Sequence, residues 1–343
     1  MSAEVWVTGV GVATRLGVGR APLERALREA QAPGSAEVDG PAAVAALEEA
    51  LEQAGLEPRG RADAALFVGC AWAGLDRSES AVAAQVADKE PDDEAWGRHG
   101  SDHLLARLVR GSGLGGLSFV TSAAAAGGAD ALELGLRWLE TSASPTVAVG
   151  GVALQSRVAE RCLHERLGHD PAGCRPLDPA RQGTQAASGA AFLILERAPE
   201  AQARGAQPLA ALRAVWSARG ANALGRVLEQ ARQSEPDLWL CHGSGGVAED
   251  GEEQAALRAV LEQPIAGLAA SKGLLGHTQA AAACLDAAIA VVALDGGFFP
   301  CLEPQAELST ISAERLVPRS AVVVARDLLG RAWAVSFARA AAT

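Results

Sequence analysis

Ser118-Phe119-Val120-Thr121-Ser122-Ala123-Ala124-Ala125-Ala126-Gly127-Gly128, running into Ala129-Asp130-Ala131-Leu132-Glu133-Leu134-Gly135-Leu136-Arg137-Trp138-Leu139, is the stretch whose reading decides the fold. A short β-type run, Leu117 to Val120, stops at a cluster of tiny residues. A helical pattern follows, with Leu132, Leu136 and Leu139 on one face. Such a strand–turn–helix sets the residues near Ala124 at a helix N-terminus, where backbone N–H groups and the positive end of the dipole favour a developing negative charge. Folds of this kind often place a nucleophile there, but this turn holds only alanines.

Outward from that stretch the same grammar recurs. Val5 to Ala13 reads as a strand entering a Gly turn, and its lone Gly-x-Gly reads better as a tight turn than as a phosphate loop. Pro22–Ala30 and Ala42–Ala54 read as helices, the second ended by Gly55. Asp63–Cys70 reads as a buried strand, residues 86–101 as an acidic surface loop, and Ser101–Arg110 as a helix. Thr146–Gly151 and Ala190–Leu195 close a first half near Arg197. In the second half, Asp237 to Gly246 echoes Ala65 to Gly74. Ile265–Ala269, followed by Gly276-His277 and a small-residue helix, echoes the opening stretch, and Ala321–Ala325 and Ala332–Phe337 are closing strands. Strands alternating with helices, twice over, predict an α/β internal duplication with halves 1–197 and 198–343.

The bulk numbers bound the function. With 343 residues and 49% hydrophobic content the chain can bury a large core. A net charge of −11 argues against nucleic acid, which needs a basic footprint. Six scattered cysteines without C-x-x-C spacing read as reduced, buried thiols of a cytosolic protein. The opening residues lack a signal-peptide pattern, and no uncharged apolar run reaches the roughly 18–20 residues that span a bilayer. Ala280–Leu294 is apolar but short and contains Asp286, so it reads as a core helix rather than a membrane segment. The expected location is the cytoplasm.

Three polar residues of the second half carry candidate chemistry. His242 ends an apolar strand ahead of Gly-Ser-Gly-Gly, and His277 lies five residues after Lys272, which with Lys89 makes up the full set of lysines. A neutral imidazole can donate to a developing enolate or oxyanion, and a Lys can stabilise charge or tune its neighbours. Each His alone reads more readily as a satisfied core residue. Two at strand ends of a duplicated fold, with a rare Lys nearby, read as a site.

Together these motifs resemble the β-ketoacyl-acyl carrier protein synthases of the thiolase-like fold. The opening Val7 to Gly17, the run from Arg175-Pro176-Leu177-Asp178 to Glu196, the segment His242-Gly243-Ser244-Gly245 with Asp250 and Glu253, and Lys272 through His277 all resemble family motifs. The resemblance implies a duplicated five-layer αβαβα fold, a dimer, no bound cofactor, and a substrate thioester carried on the phosphopantetheine of an acyl carrier protein. It implies catalytic positions at Ala124, His242, Lys272 and His277, and contacts to the pantetheine arm from Ser244, Phe337 and Arg339. The departures are as informative. Counting back from Gly127, the nucleophilic Cys falls at Ala124, which cannot form an acyl thioester. Cys70, Cys162 and Cys241 do not match that position. Ala187-Ser188-Gly189 replaces a Gly-Glu-Gly element, removing an acidic partner expected near Lys272. Gly246 lacks a hydroxyl that Ser244 keeps. Ala338-Arg339-Ala340-Ala341 stands for the Gly-Phe-Gly-Gly gate. Four readings follow: a non-condensing relative like the chain-length factor that pairs with an active ketosynthase; a synthase whose Cys is replaced by Ala; a decarboxylase of malonyl thioesters; and a structural dimer partner with a filled pocket.

Overall fold

The computed structural model describes residues 4–29, 34–72, 74–90, 100–261, 265, 267–302 and 317–340. In the first half, β1 (Val5–Thr14) and the short β2 (Gly17–Val18) precede α1 (Arg20–Glu29), α2 (Gly40–Gln53), α3 (Pro58–Asp63), β3 (Ala65–Cys70), α4 (Leu75–Val86) and α5 (Ser101–Ser112). β4 (Ser118–Thr121), a 3₁₀ turn (Ala124–Ala126), α6 (Gly127–Thr141), β5 (Thr146–Ala153), α7 (Arg157–Leu167) and β6 (Gly189–Arg197) complete it. After α8 (Ala198–Ala203) come β7 (Ala210–Arg219), α9 (Ala223–Arg232), β8 (Leu238–Leu240), α10 (Val247–Val260), β9 (Leu268–Ala269) and α11 (Lys272–Leu275). A second 3₁₀ turn (Gln279–Ala281), α12 (Ala282–Gly296), β10 (Ser320–Arg326) and β11 (Arg331–Arg339) close the second half.

The duplication is written in the sheet order, β4-β3-β5-β6-β1-β7-β11-β10-β8-β9. From the central β1–β7 pair outward, one side runs β1, β6, β5, β3, β4 and the other β7, β11, β10, β8, β9. The pairing senses match as well. β1–β6 and β5–β6 are antiparallel, as are β7–β11 and β10–β11; β3–β5 and β3–β4 are parallel, as are β8–β10 and β8–β9. The segments that echo each other in sequence, 65–74 with 237–246 and 117–139 with 265–294, therefore begin at topologically equivalent strands. Each strand–3₁₀–helix unit opens at a non-glycine residue of positive φ, Ala124 at +47° and Gln279 at +44°.

Five layers result. α2 and α5 cover the outer face of the first half-sheet, where Leu47, Leu51 and Leu108 meet Leu66, Val68 and Phe192. α9 and α10 cover the outer face of the second, where Val227, Leu228 and Leu257 meet Trp239, Val322 and Val324. Between the half-sheets lie α6 and α12, sharing one core with Val7, Phe67, Val149, Leu193 and Val335. Residues 282–294 of α12 are buried on every side, as expected of a helix with no polar face. With its leading turn the apolar run Gln279–Gly296 is long enough to cross a membrane by composition, but it lies inside this core.

The central layer is thin because its contact residues are small. A Cβ on Gly69 would stand 2.1 Å from the carbonyl carbon of Gly127, and one on Gly128 would stand 2.8 Å from Cys284 Sγ and 3.0 Å from Ala280 O. β9 is shorter than the expected 265–269, and α4, α7, α9, α10 and β7 stand where the sequence reading gave no element; of these helices α10, which buries Asp250, Glu253 and Leu257, has the weakest apolar face. Of the expected acidic loop, Val86 is the last residue of α4, residues 87–90 are an exposed turn and coil, and residues 91–99 lie outside the described residues. Cysteines 70, 174, 241 and 284 are buried, but Cys162 and Cys301 are exposed, so the expectation of six buried thiols holds for four. Gly69→Ala should push α6 off β3 and lower unfolding free energy by about 2–3 kcal/mol, read as a drop in the urea midpoint at unchanged slope.

Candidate active site

The site is assembled where the parallel strands end. Ala124 opens the turn after β4, in a backbone conformation an L-residue adopts at a cost, and Ala124 and Ala125 face a cavity of about 140 Å³. α6 starts immediately behind them at Gly127, so its free N–H groups lie close to the cavity.

His242 reaches the same cavity from the end of β8. The turn that follows it is wrapped around two carboxylates of α10. Glu253 accepts the N–H groups of His242 and Gly243, each at 2.8 Å. Asp250 accepts from Ser244 N at 2.7 Å, Ser244 Oγ at 2.9 Å and Gly245 N at 3.1 Å. Only glycine holds the two left-handed positions of this turn cheaply, Gly243 at φ +44° and Gly245 at +82°. Asp250 also accepts Leu177 N at 2.7 Å, which ties the loop before β6 to the turn. His277 enters from the loop after α11: its N–H donates to Gln185 O at 2.7 Å and its carbonyl accepts Ala187 N at 3.2 Å. The two imidazoles meet edge to face, with ring centroids 5.7 Å apart.

Lys272 lies beneath them, fully buried, its Nζ donating to the backbone carbonyl of His242. Its counter-charge is Asp286 on α12, at 3.8 Å, itself bonded by Ser271 Oγ. Burial, reinforced by the Lys272 charge, pushes His277 down to about 3 and His242 well below the ordinary imidazole range. Both rings are therefore neutral at pH 7. His277 Nδ1 accepts the Gln279 N–H at 3.1 Å, which leaves the ring proton on Nε2. Burial, and Asp250 next to it, raise Glu253 to about 7 against the pull of its two backbone donors. Burial likewise raises Asp286, opposed by Lys272.

The structure thus brings Ala124, His242, His277 and Ser244 onto one cavity, with Lys272 behind. It does not bring Phe337 and Arg339 there. Phe337 is sealed in the central core, and Arg339 is exposed at the far end of β11, beside Gly297. The physical reason is strand direction. β11 runs antiparallel to β10, so its C-terminal residues pair with the start of β10, away from the cavity. The turn over the cavity is the β10–β11 connection, through Arg326, Asp327 and Leu328. Ser188 also stands elsewhere, its Oγ accepting Gln155 N at 3.0 Å; Lys272 has kept a carboxylate, Asp286, from another element. Asp286 and Arg326 are what sequence reading missed. A single acid inside an otherwise apolar, alanine-rich helix was the available signal for the first, and nothing in the letters marked the second.

Chemically, two neutral imidazoles on a largely apolar cavity are suited to a carbonyl oxygen that gains charge. A covalent acyl-enzyme is excluded at position 124, because a methyl group offers no nucleophile. Removing Asp286 (Asp286→Ala) leaves the buried ammonium uncompensated and should cost about 3–5 kcal/mol in denaturant unfolding. His277 binds fewer protons folded than unfolded between pH 6.5 and about 3, so its stability contribution is present above 6.5 and drains away as pH falls through that window. Across it, His277→Gln should lose less unfolding free energy than the parent protein, measured by urea titration at successive pH values.

Comparison with known proteins accords with this architecture. Residues 41–201 match the family model of the β-ketoacyl synthase N-terminal domain, and 206–304 that of its C-terminal domain. A phthioceranic/hydroxyphthioceranic acid synthase of Mycobacterium tuberculosis is 29% identical over 278 residues, 74% of this chain, and the match spans 13% of that protein's length. The tetracenomycin polyketide synthase ketoacyl synthase alpha subunit of Streptomyces glaucescens is 27% identical over 307 residues, 75% of this chain and 69% of that protein. Among solved structures, the ishigamide ketosynthase/chain length factor superposes with a TM-score of 0.90 at 20% identity, covering 99% of this chain and 100% of that one. A type II polyketide acyl-carrier protein in complex with its ketosynthase gives 0.85 at 18% identity, with 99% and 100% covered. With both domain models matched in order along a duplicated five-layer fold, the chain belongs to the β-ketoacyl synthase family.

Proposed function

We propose that this chain is a cytoplasmic, non-condensing ketosynthase-like subunit of fatty acid or type II polyketide biosynthesis. It handles acyl groups carried as thioesters on the phosphopantetheine arm of an acyl carrier protein, and it pairs with a homologous ketosynthase in the manner of a chain-length factor. The halves 1–197 and 198–343 supply the elbow and the histidines respectively. The observation that carries the reading is Ala124: the elbow keeps its positive φ and its helix N-terminus, and the residue there has no nucleophile. The turn over the cavity supports it too, since Arg326 is tied to Glu249 O and Glu252 and Asp327 to Arg331. That turn is a braced cover. β4 ends the sheet with one free edge, and Leu117 beside it is exposed, a surface suited to a second chain.

A second reading is favoured by one feature, the retained pair of neutral imidazoles. In decarboxylation of a malonyl thioester the bond from the α-carbon to the carboxylate breaks and CO₂ leaves. Its electron pair passes to the thioester as an enolate, which His242 and His277 would stabilise until water protonates the carbon. No nucleophile is needed.

Ala124→Cys discriminates. The new thiol would stand at a helix N-terminus, which lowers its pKa. Weak or no acylation by acyl-carrier protein thioesters, read as intact mass, is expected; robust acylation would overturn the non-condensing reading. The protein as it stands is expected to release no CO₂ from malonyl-carrier protein. Release that vanishes in His242→Ala would establish the decarboxylase. Mixed with a cognate ketosynthase, the chain should co-elute on size exclusion as a heterodimer burying roughly 2,000 Å² or more; a monomer indifferent to such partners would contradict the pairing.

A further inference from the structure

The cavity that takes the two imidazoles also takes a polar side chain that has no part in the chemistry of a thioester carbonyl. Gln279 lines it, 6% exposed, from the first position of the second 3₁₀ turn. Its backbone N–H is spent on His277 Nδ1 at 3.1 Å, but its carboxamide makes no hydrogen bond among the described residues. Unlike the amide oxygen of Gln155, which is sealed in the protein, this carboxamide opens on the cavity. The neighbouring polar groups of the wall are engaged: Ser244 with Asp250, Arg326 with Glu252, Asp327 with Arg331.

An unbonded carboxamide on a mainly apolar cavity is costly, and an aliphatic side chain would fill the same space without that cost. Gln279 also holds φ at +44°, a left-handed conformation unfavourable for any residue with a side chain. Strain of this kind gathers where a ligand is held. Its place in the fold matters as much. Gln279 is the second-half counterpart of Ala124, and the two turns are in contact. Two duplicated elbows thus face one space, the first with only a methyl group, the second with a group that can both donate and accept.

We propose that Gln279 selects acyl groups that carry an oxygen on the chain, a keto or hydroxyl group close to the thioester, over plain saturated ones. The inference rests on the reading of this cavity as the seat of a carrier-borne thioester. With His242 and His277 turned to the thioester carbonyl, the carboxamide leaves the same loop two residues after His277 and meets the next oxygen along the chain. Nε2–H donates to a ketone or hydroxyl oxygen, and Oε1 accepts from a hydroxyl. A saturated chain displaces water from the carboxamide and gives it no partner, which is how a site built for an oxygen rejects the analogue lacking it.

The test uses the full chain and three N-acetylcysteamine thioesters of equal chain length, butyryl, 3-hydroxybutyryl and acetoacetyl, by isothermal titration. The two oxygenated probes should bind about tenfold more tightly than butyryl, the effect of one neutral hydrogen bond. Gln279→Leu should abolish the preference by weakening those two, with butyryl held as well as before or better. Where Gln279→Leu does not fold, Gln279→Met, closer in shape, serves the same purpose. Butyryl bound as tightly as the oxygenated pair overturns the proposal, as does a variant that keeps the preference or weakens all three probes alike. Binding of all three without preference leaves the acyl reading of the cavity standing, whereas binding of none removes that reading and this inference with it.

Discussion

The contact on which the molecule depends is the one between two helix starts. Gly128 of the first half meets Ala280 and Cys284 of the second at distances where an extra methyl would strike backbone, Gly127 abuts the Ala280 methyl, and Gly69 closes on Gly127 and Gly128 from the strand behind. That approach lets α6 and α12 share a single layer, and with it a single core. It also sets the two elbows side by side, so that the loop carrying Ala124 and the loop carrying His277 and Gln279 open onto one cavity. Spread the helices by the width of a side chain and the imidazoles no longer face position 124.

Under the cavity the protein keeps its charges in the second rank. Lys272, Asp286, Glu253 and Asp250 are all buried, and their partners are backbone groups, the hydroxyls of Ser244 and Ser271, or one another. Above this group His242 and His277 meet the cavity as neutral rings, and Glu249, Arg326 and Asp327 also line it. Burial, and a fixed ammonium behind them, disfavour protonation of both imidazoles, and the Gln279 N–H on Nδ1 leaves the His277 proton on Nε2. The nucleophile is absent, but the electrostatic frame around its position is intact.

Most of this was legible in the letters where local chemistry dictates the outcome. The apolar strand ahead of His242 and the small-residue run after Ser122 constrain the chain locally, and such patterns gave the duplication and the grouping of His242, Lys272 and His277, while position 124 was matched to a nucleophile by the family resemblance. What could not be read was whatever depends on strand direction and on contacts across the fold. The register of the last two strands decides whether Arg339 or Arg326 stands at the cavity, and both ends of a β-hairpin look alike in one dimension. Likewise Asp286 could be noted as an oddity in an apolar helix, but its pairing with Lys272 requires knowing which face of α12 meets α11. α10 gave little signal because the face it buries is lined by Asp250 and Glu253 as well as Leu257, so its position is fixed by what it binds rather than by an apolar stripe.

The shared central layer has a consequence for how the protein is made. α6 ends at Thr141, but α12, which covers its inner face, is complete only at Gly296. At synthesis rates of about 5–20 residues per second, that face waits on the order of 8–30 s for its partner. Through this interval the nascent first half presents an apolar, alanine- and leucine-lined surface with no cover of its own, long enough for chaperone capture or for premature docking on another nascent chain. The pairing proposed above, where it begins on the ribosome, competes with the closing of the chain's own core.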